Sequence, residues 1–541
     1  MRDGREMKGL VAALLTACLL SGTSALAADA LRDGFQAPPA AAKPRVWWHW
    51  LGGNVSADGI DKDLAWMNRI GIGGFQLFTG NLETPLLVDR PVTVFSPEWR
   101  AMVRRAAERA DSLGLEMTMA ASAGWSETGG PWVQPAQGMK KLVWSETVVE
   151  GGKPFRGALT SPPRNSGPFQ DMPLPPELRL PPPPPVRGAK PRPVPAHVTP
   201  PSHYADVAVL AYRLPAGVTP LSDLKPRITS SGGNGAILAD GRYDQVLHLE
   251  QKAADGGVAW VEYAFEKAVG LSALTLASAI EDPLNALSPS GVVEIADATG
   301  DFRELVRIPP QQVVAFPASA PVRTVALPDA KARRWRFRFD PLPPQALALP
   351  GIPQQTVHAV TEIRFETEPM LDRWQAKAAY DTMRDYDTAT PSHRHAVPRD
   401  QVIDLTERLQ PDGRLDWTPP PGRWQVLRLG YSLTGTQNHP ADPEGTGLEV
   451  DKLDGAAVRA YLEGYFAQVD QALGDLRGAR GLKNLLTDSW EAGQANWTPA
   501  LPAEFKRRRG YDLLPWLPVL TGRVVGSVAD SERSLWDFLR T

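Results

Sequence analysis

The sequence predicts an α/β protein in which parallel β/α units, too few to close a (β/α)8-type barrel, flank a large insertion of antiparallel β structure. Three observations carry this: strand and helix patterns that alternate over residues 46–122, short alternating apolar runs from about 142 to 430, and the return of the β/α rhythm after 454. The 541 residues are 43% hydrophobic and 22% charged, a globular composition with room for several domains. Lys and Arg number 58 against 61 Asp and Glu, a net charge of −3, so nothing gathers phosphate backbones and nucleic acid is not an expected partner.

At the front, the apolar run 10–20 follows Arg2, Arg5 and Lys8 and precedes Ala25-Leu26-Ala27 in an A-x-A arrangement. That order marks residues 1–27 as a secretory signal peptide cut after Ala27, which directs the protein to the periplasm or outside the cell. The run is about half the roughly 20 residues that a membrane-spanning helix needs, and no other segment is long and apolar enough. Leu15-Thr16-Ala17-Cys18 also resembles a lipobox, the rival reading, in which Cys18 would carry a lipid. With Cys18 the only cysteine, no intrachain disulfide and no cysteine-based metal site can form.

A small-residue linker, 28–44, leads into the first β/α segment, 45–141. Residues 46–50 read as a buried strand, Ile60, Leu64 and Met67 mark one helix face, and 73–78 read as a second strand. An Arg- and Ala-rich helix over 98–113 and a strand over 115–122 complete the series. The β-rich insertion, 142–430, contains runs such as 207–212, 258–265, 271–278 and 335–339, bounded by Gly, Pro and Asp. Within it the loop 161–201 holds 16 of the 53 prolines, five of them in succession at 181–185, and reads as an extended solvated insertion or a ligand for a partner domain. In the last segment, 431–541, Asp454 is the N-cap of a helix whose apolar face is Val458, Tyr461, Leu462, Tyr465, Phe466, Val469 and Leu473. A buried strand over 484–487 and helices near 503–509 and 530–541 follow. About four β/α units result where a closed barrel needs eight, and the pattern breaks off inside an amphipathic helix, so the barrel is expected to be truncated at the C-terminus.

Reactive groups in parallel β/α folds collect after the C-terminal ends of strands, and four places qualify. Trp47-Trp48-His49-Trp50 sets three indoles and an imidazole at the first strand end, where Trp48, His49 and Trp50 either contact sugar or pack the core. Gly124-Trp125-Ser126-Glu127 begins a Gly-rich loop without a phosphate-loop ending, in which Trp125 and Glu127 are candidates for substrate binding; Glu127 reads equally as a plain loop carboxylate. Glu449 and Asp451 share a face if their segment is a strand, and would bind a hard cation or a hydroxyl pair, or else form a surface ion pair with Lys452. Thr487-Asp488-Ser489-Trp490-Glu491 discharges an apolar run into two carboxylates beside an indole. Apolar surroundings raise a carboxyl pKa, which suits Glu491 to general acid catalysis, with Asp488 a substrate contact or a helix N-cap. His393 and His395 read as surface residues.

The stretches WWHWLGGNVSADGIDKDLAWMNRIGIGGFQLF (47–78), ASAGWSETGGPWVQP (121–135), RLGYSLTGTQNHPADPEGTGLEVDKL (428–453) and LTDSWEAGQANWTPALPAEFKRRRGYDLLPWLPVLTGR (486–523) resemble glycoside hydrolase family 106, the secreted bacterial α-L-rhamnosidases. The resemblance implies a (β/α)8 catalytic barrel interrupted by β-sandwich material, inverting hydrolysis of terminal α-L-rhamnosyl groups on a rhamnose-containing oligosaccharide or glycoside, and a calcium ion in the sugar site. By motif position Glu491 is similar to the family's general acid, and the partner carboxylates lie further along the barrel. Asp240-Gly241-Arg242-Tyr243 and Trp260-Val261-Glu262-Tyr263 look like a galactose-binding-like sandwich. The alternative from another class is a secreted carbohydrate-binding protein without turnover.

Overall fold

The computed structural model describes residues 30–541 apart from 83, 127, 177–200, 216, 252–257, 282–286, 313–319, 344–354, 384–388, 390 and 392–395. The signal peptide with Cys18, the centre of the proline tract, Glu127, His393 and His395 lie outside the described residues. No helix among the described residues is long and apolar enough to cross a membrane.

The chain enters through β1 (Arg45–Leu51), α1 (Ala57–Arg69), β2 (Gly74–Gly80), α2 (Pro97–Leu113) and β3 (Glu116–Ala120), with the three strands parallel. Each helix starts where its cap dictates. The Ser56 and Ser96 hydroxyls accept from the backbone N–H groups of Gly59 and Trp99 at 3.1 Å, and Pro97 fills the first turn of α2. Ile60, Leu64 and Met67 of α1 and Val103, Ala106, Ala107 and Ala110 of α2 are buried against the sheet's own Phe75, Leu77, Met117 and Met119. Each large aliphatic side chain so buried contributes about 1.5–3 kcal/mol.

The chain then leaves this layer through β4 (Lys140–Glu150), β5 (Tyr204–Arg213) and β6 (Arg423–Leu433), which pair antiparallel with β6 central. Between β5 and β6 lie two larger antiparallel sheets. One orders Val322–Ala326, Ala273–Ser278, Val357–Glu366 and Leu247–Glu250; the other Phe302–Ile308, Gly291–Ala296, Lys331–Phe339, Trp260–Gly270 and Arg227–Ser230. Their facing side chains, among them Leu274, Leu276, Ile363 and Phe365 against Val261, Val293, Trp335 and Phe337, form one core. The Tyr263 hydroxyl crosses it to donate to the Ile363 carbonyl at 2.6 Å.

The return is made by α3 (Gly455–Leu473), capped by the Asp454 carboxylate at 2.9 Å from Ala456 N, and β7 (Leu482–Leu486), parallel to β3. The parallel sheet is therefore ordered β1-β2-β3-β7. One expectation is corrected: the last strand is not buried, since Lys483 and Asn484 are exposed and Leu485 and Leu486 half-buried. The physical reason is its place at a sheet edge, with only β3 beside it among the described residues. α4 (Leu501–Arg509) and α5 (Val528–Leu539) close the chain.

Candidate active site

Alternation along β1 sends its aromatic residues to opposite faces. Trp48 and Trp50 lie on the helix side: both are buried, their rings meet edge to face at 5.4 Å, Trp48 meets Phe75 at 5.0 Å, and its Nε1 donates to Asp63 of α1 at 3.0 Å. The structure thus places these two indoles in the core. His49 takes the other face, stacked on Phe78 of β2 at 5.2 Å and edge-on to Trp47 and Trp125, each at 5.6 Å.

Trp125 arrives on the loop after β3, which a second loop, after β6, clamps in place. Gly124 N donates to Thr79 O at 2.6 Å, Trp125 N and Ser126 N both donate to His439 O at 3.1 Å, and His439 N donates to the Ser126 hydroxyl at 2.9 Å. Asn438 locks the second loop, its amide donating to Ala123 O at 2.8 Å and Gly445 O at 3.0 Å while accepting from Gly447 N at 2.8 Å. Gly124 sits at φ +81°, and a β-carbon there would lie 2.6 Å from His439 O, so no other residue fits this crossing.

The end of β7 supplies Asp488 and Glu491 to the same rim. No helix follows them until Leu501, which removes the N-cap role from Asp488 and Ser489; the Asp488 carboxylate instead accepts from Ser489 N at 2.8 Å. Burial raises the Glu491 pKa, the neighbouring Asp488 charge raises it further, and His439 opposes; the net direction is upward. Among the described residues Glu491 Oε2, shut from solvent, has no hydrogen-bond partner. Burial lowers the His49 pKa, against the pull of the Asp488 charge. Thus His49, Trp125, His439, Asp488 and Glu491, from four separate segments, lie close to one another. His439 was not among the residues expected from sequence; its only signal is the Asn-His-Pro turn between Gly435 and Gly445.

Glu449 and Asp451 are both fully buried. Lys452 Nζ donates to Glu449 at 2.7 Å, and Lys140 Nζ to Asp451 at 3.2 Å. The ion pair read at the surface is therefore an interior one, and burial raises the Asp451 pKa although Lys140 opposes it. Each carboxylate is engaged by a lysine, and among the described residues no group of three or more His, Cys, Asp or Glu is placed to hold a metal.

A carboxyl with raised proton affinity beyond the C-terminal end of a parallel strand is the kind of group that general acid catalysis on a glycosidic oxygen requires. The family model described as alpha-L-rhamnosidase matches residues 36–541, and the chain belongs to that family. The solved structure of a rhamnosidase from Novosphingobium sp. PP1Y is similar with a TM-score of 0.75 and 39% identity, over 94% of this chain and 44% of that one. A Formosa agariphila protein provisionally named beta-glucuronidase is 29% identical over 511 residues, 94% of this chain and 28% of that protein. The chain thus spans less than half the length of either relative.

Proposed function

We propose that this chain carries the acid side of an inverting glycosidase that removes terminal α-L-rhamnose, with Glu491 as the general acid. The observation that carries the reading is the carboxyl of Glu491, half-buried, raised in pKa and unpartnered at Oε2 among the described residues. A carboxyl with raised proton affinity can give its proton to the departing glycosidic oxygen. Inversion needs a second carboxylate about 6.5–9.5 Å away to activate water. By the family resemblance that base belongs to barrel strands further along the polypeptide.

The same resemblance supports taking the four-stranded parallel sheet as part of a (β/α)8 barrel and the two antiparallel sheets between β5 and β6 as an inserted galactose-binding-like sandwich. The calcium ion and export through the signal peptide rest on the resemblance and the sequence alone. His49, Phe78, Trp47 and Trp125 form an apolar wall suited to the methyl group of a deoxy sugar. A glucuronate carboxylate would instead face Asp488 and Glu491, which favours a neutral sugar over the glucuronide suggested by the name of the Formosa protein. In this arrangement His49 and Trp125 shape the pocket, Asp488 holds a hydroxyl and sustains the proton on Glu491, and Glu449 anchors Lys452.

The test is to express the full reading frame and assay aryl α-L-rhamnoside and aryl β-glucuronide with and without Glu491→Gln. Rhamnoside turnover that falls by about a hundredfold or more in the variant is expected, in the range lost with a general acid. An unchanged rate sinks the assignment of Glu491, and turnover of the glucuronide alone sinks the choice of sugar.

A further inference from the structure

The indole of Trp490, next in sequence to Glu491, is 48% exposed. A large ring left half in water is ordinarily free to swing, but this one is held at its edge and behind. Its Nε1 donates to Gly493 O at 2.6 Å, and Lys452 Nζ stands over the ring at 5.4 Å. Lys452 is itself fixed: its side chain is 7% exposed, its ammonium donates to the fully buried Glu449 at 2.7 Å, and Met139 Sδ lies at 3.6 Å. A buried ion pair thus sets the attitude of one exposed ring, leaving only its outer face to a ligand.

We propose that the outer face of Trp490 is a stacking platform for the leaving-group side of the glycoside, taking a pyranose or flat aromatic ring, with Lys452 and Glu449 as its positioning residues. The proposal rests on the assignment of Glu491 as the acid. A general acid touches the glycosidic oxygen, so both groups joined by that oxygen pass close to it. The terminal sugar belongs against the wall of His49, Phe78 and Trp125, which is buried or half-buried. Its leaving group must then extend toward solvent, past the more exposed rim where Trp490 stands. Sugar C–H faces and aromatic rings both stack on indole, so the platform selects for a flat apolar face rather than a particular aglycone.

The experiment measures, in the full-length protein, kcat and KM for a rhamnosyl-glucose disaccharide and the inhibition constant of free L-rhamnose, which can fill only the terminal-sugar position. For Trp490→Ala the disaccharide KM is expected to rise about five- to tenfold, the loss of one ring-stacking contact, with kcat within about twofold. The L-rhamnose constant stays unchanged, which also shows that the pocket has folded, and Trp490→Phe retains most of the disaccharide affinity. Lys452→Met, which frees the ring without removing it, gives a smaller KM rise. An unchanged KM in Trp490→Ala overturns the platform, and so does a parallel loss of L-rhamnose binding. A wild-type protein that neither cleaves nor binds rhamnosides overturns the underlying functional reading instead, and the platform with it.

Discussion

Two charges act on Glu491 in opposite senses, which lets single substitutions separate them. The Asp488 carboxylate raises the proton affinity of Glu491 and His439 lowers it. Loss of the proton from the acid sets the alkaline limb of the rate profile. Asp488→Asn is therefore expected to move the alkaline limb of kcat/KM to lower pH, and His439→Gln to move it to higher pH. The measurement is kcat/KM against pH for both variants; limbs that stay fixed, or that move the same way, would remove both groups from the surroundings of the acid. Most of this cluster could be read in the sequence, because Trp125, Asp488 and Glu491 follow apolar runs that end as strands and His49 closes another. The Trp-Trp-His-Trp run could not show which parity faces the helices, since indoles suit either face, and the structure sends Trp48 and Trp50 inward to the core. His439 was hidden for another reason: no periodicity marks a residue whose place is set by backbone hydrogen bonds to a loop more than 300 positions away.

Those backbone bonds make two loops a single unit, and Gly124 is where they cross. Gly124→Ala would impose a left-handed conformation on a residue with a side chain and press its β-carbon on His439 O. The expected cost is about 2 kcal/mol of stability, with a fall in kcat/KM as Trp125 and His439 part. Thermal unfolding and steady-state kinetics of the variant check both; wild-type values in each would show that the loops adjust freely. The regular elements around this crossing were legible for local reasons. The Asp454 cap and the apolar spacing of Ile60, Leu64 and Met67 announce helices without help from tertiary structure. The burial of β7 was not legible, because Leu485 and Leu486 read as interior whether a further strand pairs with them or not.

At the scale of the whole molecule, Arg523 ties the last segment of the chain to the β structure. Its guanidinium, 5% exposed, lies 2.9 Å from Glu146 of β4 and 3.7 Å from Glu368, and donates to the Tyr212 hydroxyl of β5 at 2.9 Å. The cation holds the Glu146 carboxyl below the usual range, while burial lifts that of Glu368. Around this ion lies a core shared by Leu142 of β4, Tyr212 of β5, Ala277, Trp374, Trp516, Leu535 and Phe538, so a disturbance here reaches both the β insertion and the helices that follow Glu491. Arg523→Ala strands two carboxylates, and is expected to cost about 3 kcal/mol near neutral pH. The sign with pH follows from the depressed carboxyl. The stability owed to the Arg523–Glu146 pair is present above the unfolded carboxyl pKa and is lost as pH falls through the lower folded value. The wild-type advantage over Arg523→Ala should therefore shrink in acid. Replacing all three charged partners with apolar residues, Arg523→Met with Glu146→Leu and Glu368→Leu, recovers most of the loss, because none of the three charges is then left without its partner. Melting midpoints of the wild type and both variants at neutral and acidic pH measure this directly. A single variant that melts with the wild type at neutral pH would mean that the shared apolar core, and not the ion, joins the end of the chain to the rest.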